Sequence, residues 1–377
     1  MNYPTKKQVS DLFSYIKNNG KLSIYGMDGI YEELEGRICD IYKSKYCLLT
    51  NTGTSALSSA YFALDLKKGD EVIVPIYTFI ATVTPLFRLG CIPVFADAKA
   101  ENGSIDVDSL QKIVTKKTKA IAITHMWGVS CDMKKINKFC KKNNLKLIED
   151  CSHVHLTRYN NKLLGTYGDI SCFSVGAKKV LSGGEGGFLI TNDPELYIRA
   201  TFLGHFKMRA KESLNKVPKK IADKYRDLTS GFGENYRMHP YSAVMINSLL
   251  KNELESIINK RYIVYSYLKK RLEEIEKISM HDITKGAIYG FKPKLIDFDL
   301  DKFIELVKKE GLKVKSLDTV PLYGDKVFKN CKFPLSYNGA KNYIDGRFSV
   351  SDFTTGNVGE DKKTVNKYIK VFKKILC

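Results

Sequence analysis

Residues Ile170–Asn192 read ISCFSVGAKKVLSGGEGGFLITN, and this stretch decides where the chain places its chemistry. The apolar run Ile170–Ser174 predicts a strand, and Phe188–Thr191 predicts a second one. Between them stand two lysines, Lys178 and Lys179, and the glycines Gly183, Gly184, Gly186 and Gly187. Glycine accepts positive φ angles and lets backbones approach closely, so the cluster suits a turn that holds a lysine beside a ligand. A surface hairpin with solvated lysines has the same composition. The choice between the two readings rests on the rest of the chain.

Upstream, short apolar runs alternate with amphipathic ones. Strands are predicted at Tyr46–Thr50, Glu71–Pro75, Ile92–Asp97, Ala120–His125 and Leu145–Asp150. Helices are predicted at Lys6–Lys17, Ile30–Tyr42, Val107–Thr115 and Met133–Lys142. That alternation implies an α/β fold with a mostly parallel sheet covered by helices on both faces. Ligands then bind beyond the C-terminal ends of the strands, where His125 and Asp150 fall. Asp150 stands out there, because a carboxylate at the end of a buried strand is costly unless paired.

The strand Tyr46–Thr50 runs into Asn51-Thr52-Gly53-Thr54-Ser55, after which Ala56, Leu57, Ala60, Ala63 and Leu64 recur at helical spacing. A strand, a glycine turn and a helix N-terminus form an anion site, since free N–H groups and the helix dipole both favour a phosphate. An ordinary N-cap at Thr54 is the plainer alternative. Further on, Leu203–Gly231 is polar and basic with little periodicity, and predicts a mobile loop. Leu254, Ile257, Ile258, Tyr265, Leu268, Leu272 and Ile275 mark a long helix within Asn252–Ile278. Helices at Leu300–Glu310 and Lys362–Leu376 complete a smaller α/β unit. The expected division is residues 1–250 and 251–377.

The chain has 377 residues and a formal charge of +20. It has no apolar run near the ~20 residues of a membrane span, and its start, MNYPTKKQ, lacks a signal-peptide pattern. A cytoplasmic protein with no membrane association is expected. Nine cysteines without CxxC or His/Cys ligand spacing read as buried thiols in a reducing compartment, with no metal site. The lysines are spread through nearly every helix and form no stripe, which argues against nucleic acid as partner and for attraction of anionic substrates.

FSVGAKK followed by SGGEGG resembles the lysine loop of the DegT-type (DegT/StrS) sugar aminotransferases, and further motifs match in order from about Glu33 to Leu250. The resemblance implies the aspartate aminotransferase-like fold (fold type I), pyridoxal 5′-phosphate as cofactor, and Lys179, not Lys178, as the lysine that links to it. It further implies that Gly53, Thr54, Ser55 and Ser174 cradle the cofactor phosphate and that Phe79 lies against the pyridine ring. Asp150 then pairs with the ring nitrogen, and His153 stands near the phenolic oxygen. GENYRMHP matches a segment that reaches across a homodimer interface, which makes Asn235 a phosphate ligand in the partner's site and Arg237 a substrate or interface residue. A structural ion pair is the alternative for Arg237. His125 and His155 are read as structural. The implied activity moves an amino group from glutamate or glutamine to a keto-sugar, nucleotide-linked, with a keto-cyclitol (inosose) as the alternative acceptor. Relatives that dehydrate sugars lack the lysine that is present here at Lys179. A non-catalytic regulatory or nucleic-acid-binding role rests on charge alone. Two departures mark the chain. Val175-Gly176-Ala177-Lys178 replaces a bulkier run, and a charged Lys178 is expected to lower the pKa of Lys179 by repulsion.

Overall fold

The computed structural model describes residues 3–176, 178–282, 284–286, 288–329, 331, 333–350 and 357–377. Ala177 lies outside them. The strands are β1 (Tyr46–Thr50), β2 (Glu71–Pro75), β3 (Ile92–Ala96), β4 (Thr118–Thr124), β5 (Lys146–Asp150), the short pair β6 (Arg158–Tyr159) and β7 (Lys162–Leu163), β8 (Ile170–Ser174) and β9 (Gly187–Thr191). Seven of them form one sheet in the order β1-β9-β8-β5-β4-β2-β3. Strands β3, β2, β4, β5 and β8 pair in parallel. Strand β9 is antiparallel to both of its neighbours, β1 and β8. The sheet is therefore mostly parallel, as the strand–helix alternation implied.

Register decides what meets at the sheet's edge. Asp150 pairs with Thr124 on one side and with Cys172 on the other. Gly187, at the start of β9, pairs with both Thr50 and Ser174. The last residues of β1, β4, β5 and β8 thus share one rim with the first of β9. Two apolar clusters back the sheet, one around Ile38, Ile121, Phe173 and Phe188, the other around Ala60, Val74, Ala122 and Leu189. Phe173 and Phe188 stack at 4.5 Å on one face, while their strand neighbours Cys172 and Leu189 join the other cluster. Alternation along two-sided buried strands requires that arrangement.

In chain order the helices up to the end of the sheet are α1 (Lys6–Lys17), α2 (Ile30–Tyr42), α3 (Gly53–Ala63), α4 (Pro85–Arg88), α5 (Val107–Leu110), α6 (Met133–Asn143) and α7 (Pro194–Gly204). Their starts follow local chemistry. Thr5 and Gln8 form a capping box on α1, Asp132 caps α6, and Asp193 with Pro194 opens α7. The predicted helix Val107–Thr115 closes after one turn at Leu110.

The predicted loop Leu203–Gly231 is instead folded. It holds α8 (Met208–Leu214), α9 (Lys219–Tyr225) and a 3-10 turn at Arg226–Leu228. Ala210, Leu214, Val217, Ala222 and Tyr225 are buried in the second cluster. Lysines between them hide the pattern from a reading by polarity. Arg209 is buried there too, because its guanidinium donates to both carboxylate oxygens of Glu35, at 2.8 and 3.0 Å.

The remaining helices are α10 (Pro240–Asn252), α11 (Leu254–Leu272), α12 (Leu300–Lys309), α13 (Asn338–Ile344) and α14 (Val358–Leu376). Two further strand pairs, β10 (Ile278–Ser279) with β11 (Lys294–Leu295) and β12 (Val314–Ser316) with β13 (Phe348–Val350), are antiparallel. A third apolar cluster runs from Val264 to Leu376, with Phe303, Phe348 and Phe372 at its centre. Leu322, Phe328, Tyr337 and Tyr343 pack back into the second cluster, so the C-terminal third also touches the sheet.

Candidate active site

The loop between β8 and β9 is closed by its own backbone. Val175 N–H donates to Gly186 O at 3.0 Å, Gly183 N–H to Val175 O at 2.9 Å, and Lys179 N–H to Gly176 O at 2.9 Å. This turn separates the two lysines. Lys178 is exposed, whereas Lys179 is half-buried. Burial lowers Lys179 from its ordinary value of 10.5 to about 8, with the Asp150 carboxylate pulling the other way. The expected depression by Lys178 is thus corrected: Lys178 points to solvent, and loss of water around Lys179 causes the shift.

Asp150 is 3% exposed at the end of β5. It accepts hydrogen bonds from Ser152 N–H (3.1 Å), the Ser152 hydroxyl (2.6 Å) and the Thr82 hydroxyl (2.8 Å). Thr82 continues into a hydroxyl chain through Thr78 (2.9 Å) and on to Thr124 (2.7 Å). Behind it, His125 Nε2 lies 3.2 Å from Glu149 Oε2, with Cys151 Sγ within 4.8 Å of both. Glu149 accepts from the N–H groups of Gly165, Tyr167 and Gly168 and from Ser171, while His125 Nδ1 accepts from Cys131 N–H. His125 thus serves the packing beneath the site, as read from sequence.

His153 is buried, and its Nδ1 accepts the Trp127 N–H at 3.1 Å. In the neutral ring Nε2 then carries the proton. Burial first, then the charge of Lys179, keeps the ring neutral far below its usual range. The Trp127 indole is itself anchored, donating to the Tyr77 hydroxyl at 2.9 Å. His155 Nε2 is buried with no hydrogen-bond partner among the described residues, two positions further along the same turn.

At the N-terminus of α3, the cap is Thr52, two residues before the Thr54 cap considered above. Its hydroxyl oxygen accepts the Ser55 N–H at 3.0 Å, and the Ser55 hydroxyl donates to Asn51 Oδ1 at 2.6 Å. Ser55, expected among the phosphate ligands, thus directs its groups into the cap. Gly53 and Thr54 remain as the first-turn N–H groups that no intrahelical carbonyl can reach. Backbones crowd here. A Cβ on Gly53 would lie 2.7 Å from Ser174 Cβ, and one on Gly187 would lie 2.5 Å from the Thr52 carbonyl. Small residues are obligatory for the rim to close around the half-buried Ser174.

Phe79 is 59% exposed at the start of the 3-10 turn that brings Thr82 to Asp150. Asn235 is exposed, and its carbonyl accepts from Asn51 Nδ2 at 3.3 Å, which lays GENYRMHP beside the turn into α3. The Arg237 guanidinium sits 4.7 Å over the Tyr25 ring and 5.4 Å from that of Phe206. Among the described residues these aromatic rings, and no carboxylate, hold it.

These features together fit pyridoxal phosphate. They comprise a glycine-lined rim with first-turn N–H groups, a buried carboxylate, a neutral histidine with a fixed tautomer, a His155 nitrogen without a partner among the described residues and a lysine shifted toward its neutral form. A model of the DegT/DnrJ/EryC1/StrS aminotransferase family matches residues 7–352. The chain belongs to that family. A GDP-perosamine synthase of Escherichia coli O157:H7 is 33% identical over 260 residues, 69% of this chain and 67% of that protein. A putative L-glutamine:3-amino-2,3-dideoxy-scyllo-inosose aminotransferase of Micromonospora echinospora is 32% identical over 298 residues, 76% of this chain and 68% of that one. The solved aminotransferase from Psychrobacter cryohalolentis superposes with a TM-score of 0.87 at 27% identity, over 98% of both chains. Family membership bears out the fold-type-I architecture, the aminotransferase activity and the pyridoxal phosphate cofactor. Among the described residues no helix is long and apolar enough to cross a membrane.

Sequence reading missed Thr82, Ser152, Trp127 and Tyr289. The Tyr289 ring stacks on His153 at 3.9 Å and lies 4.4 Å from Lys179 Nζ. Ser152 had a signal, being two residues beyond Asp150 in the same turn. Tyr289 had none, since it comes from an irregular segment 110 positions beyond Lys179 (289 − 179).

Proposed function

We propose that this aminotransferase takes an amino group from glutamate or glutamine and delivers it to a nucleotide-linked keto-hexose. The observation that carries the reading is the half-buried, partly neutral Lys179 within electrostatic reach of buried Asp150 at the strand ends. The bound cofactor supplies an electron sink for bond changes at the amino carbon. The N–H groups of Gly53 and Thr54 and the Ser174 hydroxyl would hold its phosphate, with Ser55 bracing the turn. Asp150 would keep its ring nitrogen protonated, His153 Nε2–H would donate to its phenolic oxygen, and Phe79 would cover one ring face. Lys179 takes up and returns the proton of the donor's α-carbon, a task suited to a lysine near pH 8.

The charge of +20 favours an acceptor that carries a diphosphate. The GDP-perosamine synthase relative supports the same class, and the inosose aminotransferase relative keeps a keto-cyclitol as the second reading. A homodimer with shared sites belongs to the proposal. Val9, Phe13 and Ile16 form an exposed stripe on α1, and the neighbouring Leu22 and Tyr25 are exposed as well. Arg237 packs on Tyr25, so the patch is continuous with the segment that holds Asn235, which would then reach the phosphate of the partner's site. The division into a cofactor-binding unit (1–250) and a smaller unit (251–377) is supported by the separate third cluster. A cytoplasmic location is part of the same reading.

The test is to supply purified protein with pyridoxal phosphate, glutamate or glutamine, and a panel of nucleotide-linked keto-hexoses and inososes, with amine products read by mass spectrometry. Visible absorbance on cofactor addition and an aminated nucleotide sugar are expected. Amination of inososes alone would transfer the assignment to the second reading. Protein that stays colourless with cofactor would overturn both.

A further inference from the structure

We infer that Tyr289 is a positioning residue that seats the free ammonium of Lys179 on its ring face while the same ring holds His153 flat. The inference rests on reading Lys179 as the reactive lysine. Lys179 Nζ lies 4.4 Å from the Tyr289 ring centroid. The His153 and Tyr289 rings stack at 3.9 Å with an interplanar angle of 8°. Trp127 completes the group, 5.5 Å from His153 and 5.9 Å from Tyr289, nearly parallel to both.

The ring's position is imposed from outside the site. Ile288 is buried, and its carbonyl accepts Arg261 Nε–H at 3.1 Å. Phe291 is buried against Tyr265 at 5.2 Å. Gly290 passes so near the indole that a Cβ there would meet Trp127 Cε3 at 3.1 Å. An irregular segment is thus fixed on both sides of Tyr289.

An aromatic face attracts an ammonium but not a neutral amine. Three influences on Lys179 therefore oppose one another. Burial favours the amine, whereas Asp150 at the end of β5 and the Tyr289 ring favour the ammonium. The other titratable groups nearby are neutral His153 and His155, while Lys178 faces solvent and Lys292 bears on His153. In each half-reaction of an aminotransferase the lysine is set free and must stay close, ready to accept or return a proton. A ring seat confines the ammonium without engaging a lone pair of the amine in a hydrogen bond, so release of the proton costs little rearrangement.

The test uses the cofactor-free full chain. The pKa of Lys179 is measured from the pH dependence of its acylation, with peptides resolved by mass spectrometry, in wild type, Tyr289→Phe, Tyr289→Leu and Tyr289→Met. Loss of the ring should lower the Lys179 pKa by about half a unit to one and a half units. Tyr289→Phe should retain the wild-type value, and the two non-aromatic variants guard against a folding failure of either one. An unchanged pKa in Leu and Met variants that melt cooperatively would overturn the inference. So would a Phe variant that falls as far as they do, because the hydroxyl and not the ring would then be responsible. Cofactor titration of the same wild-type sample separates the two claims: failure to bind pyridoxal phosphate would sink the proposed function and leave the pKa comparison standing.

Discussion

Lys179 should destabilise the cofactor-free fold, and removing it should stabilise the protein in a pH-dependent way. The lysine falls from 10.5 to about 8 chiefly through burial, a difference of about 2.5. At 1.36 kcal/mol for each pKa unit that amounts to about 3.4 kcal/mol. Residual solvent at the half-buried side chain reduces it to roughly 2–3 kcal/mol. Below pH 8 both folded and unfolded chains carry the proton, and the folded state bears the whole cost. Between about pH 8 and 10.5 the unfolded chain still holds a proton that the folded chain has released, so wild-type stability rises with pH through this window. Above 10.5 the cost has gone. Lys179→Met keeps an unbranched side chain without the charge. It should raise the melting temperature at pH 7 by several degrees, and the gain should fade by pH 10.5. Lys178→Met, on an exposed residue, should change nothing. Thermal unfolding of cofactor-free protein at pH 7, 8.5 and 10 measures all three. A Lys179→Met protein no more stable than wild type at pH 7, or stabilised equally at every pH, would refute the argument that burial of the charge is the cause.

Asp150→Asn should fold nearly as well as wild type, because the Thr82 hydroxyl can turn to donate to Thr78 and accept from the new amide. Turnover should fall by about a hundredfold or more, and the Lys179 pKa, read by the acylation assay, should drop further once the carboxylate charge is gone. Gly53→Ala would push a methyl group to 2.7 Å from Ser174 Cβ. A loss of about 1–3 kcal/mol in stability is expected, together with weaker cofactor binding, both absent if the rim has slack. Lys179→Ala and Asn235→Ala proteins, each inactive alone, should regain roughly a quarter of wild-type activity when unfolded together and refolded, since about half the dimers are hybrids with one intact site. No recovery would return Asn235 to its own subunit's site.

Legibility followed the physics of each element. Strands β1, β2 and β8 and helices α1 and α2 end where apolar periodicity and caps place them, because those signals are local. Lys179 could be separated from Lys178 only by register against the glycine cluster, and the structure supplies the reason, a turn that faces one lysine inward and the other out. The folded segment Met208–Tyr225 escaped notice because lysines interrupt its buried apolar residues and because its buried Arg209 pairs with Glu35, a residue 174 positions earlier. Thr82 and Tyr289 were equally hidden, since their roles arise from contacts that no spacing along the chain encodes.

The placement of those hidden contacts has a mechanical consequence. Asp150 and Gly187 sit on strand ends whose ladders fix them from both sides, and Ser174 is held by its pairing with Gly187, so their geometry is inherited from the sheet. Tyr289 belongs to no strand or helix, and its position depends on Arg261, Phe291 and the contact of Gly290 with Trp127. Substitutions among those supports should leave the sheet's hydrogen bonds intact and shift the ring that contacts both Lys179 and His153. The reactive lysine therefore answers to two separate frameworks. The sheet sets where its backbone stands, and the C-terminal third sets where its free ammonium rests. Changes in the C-terminal third can accordingly retune the proton chemistry of Lys179 without disturbing the rim proposed to hold the phosphate.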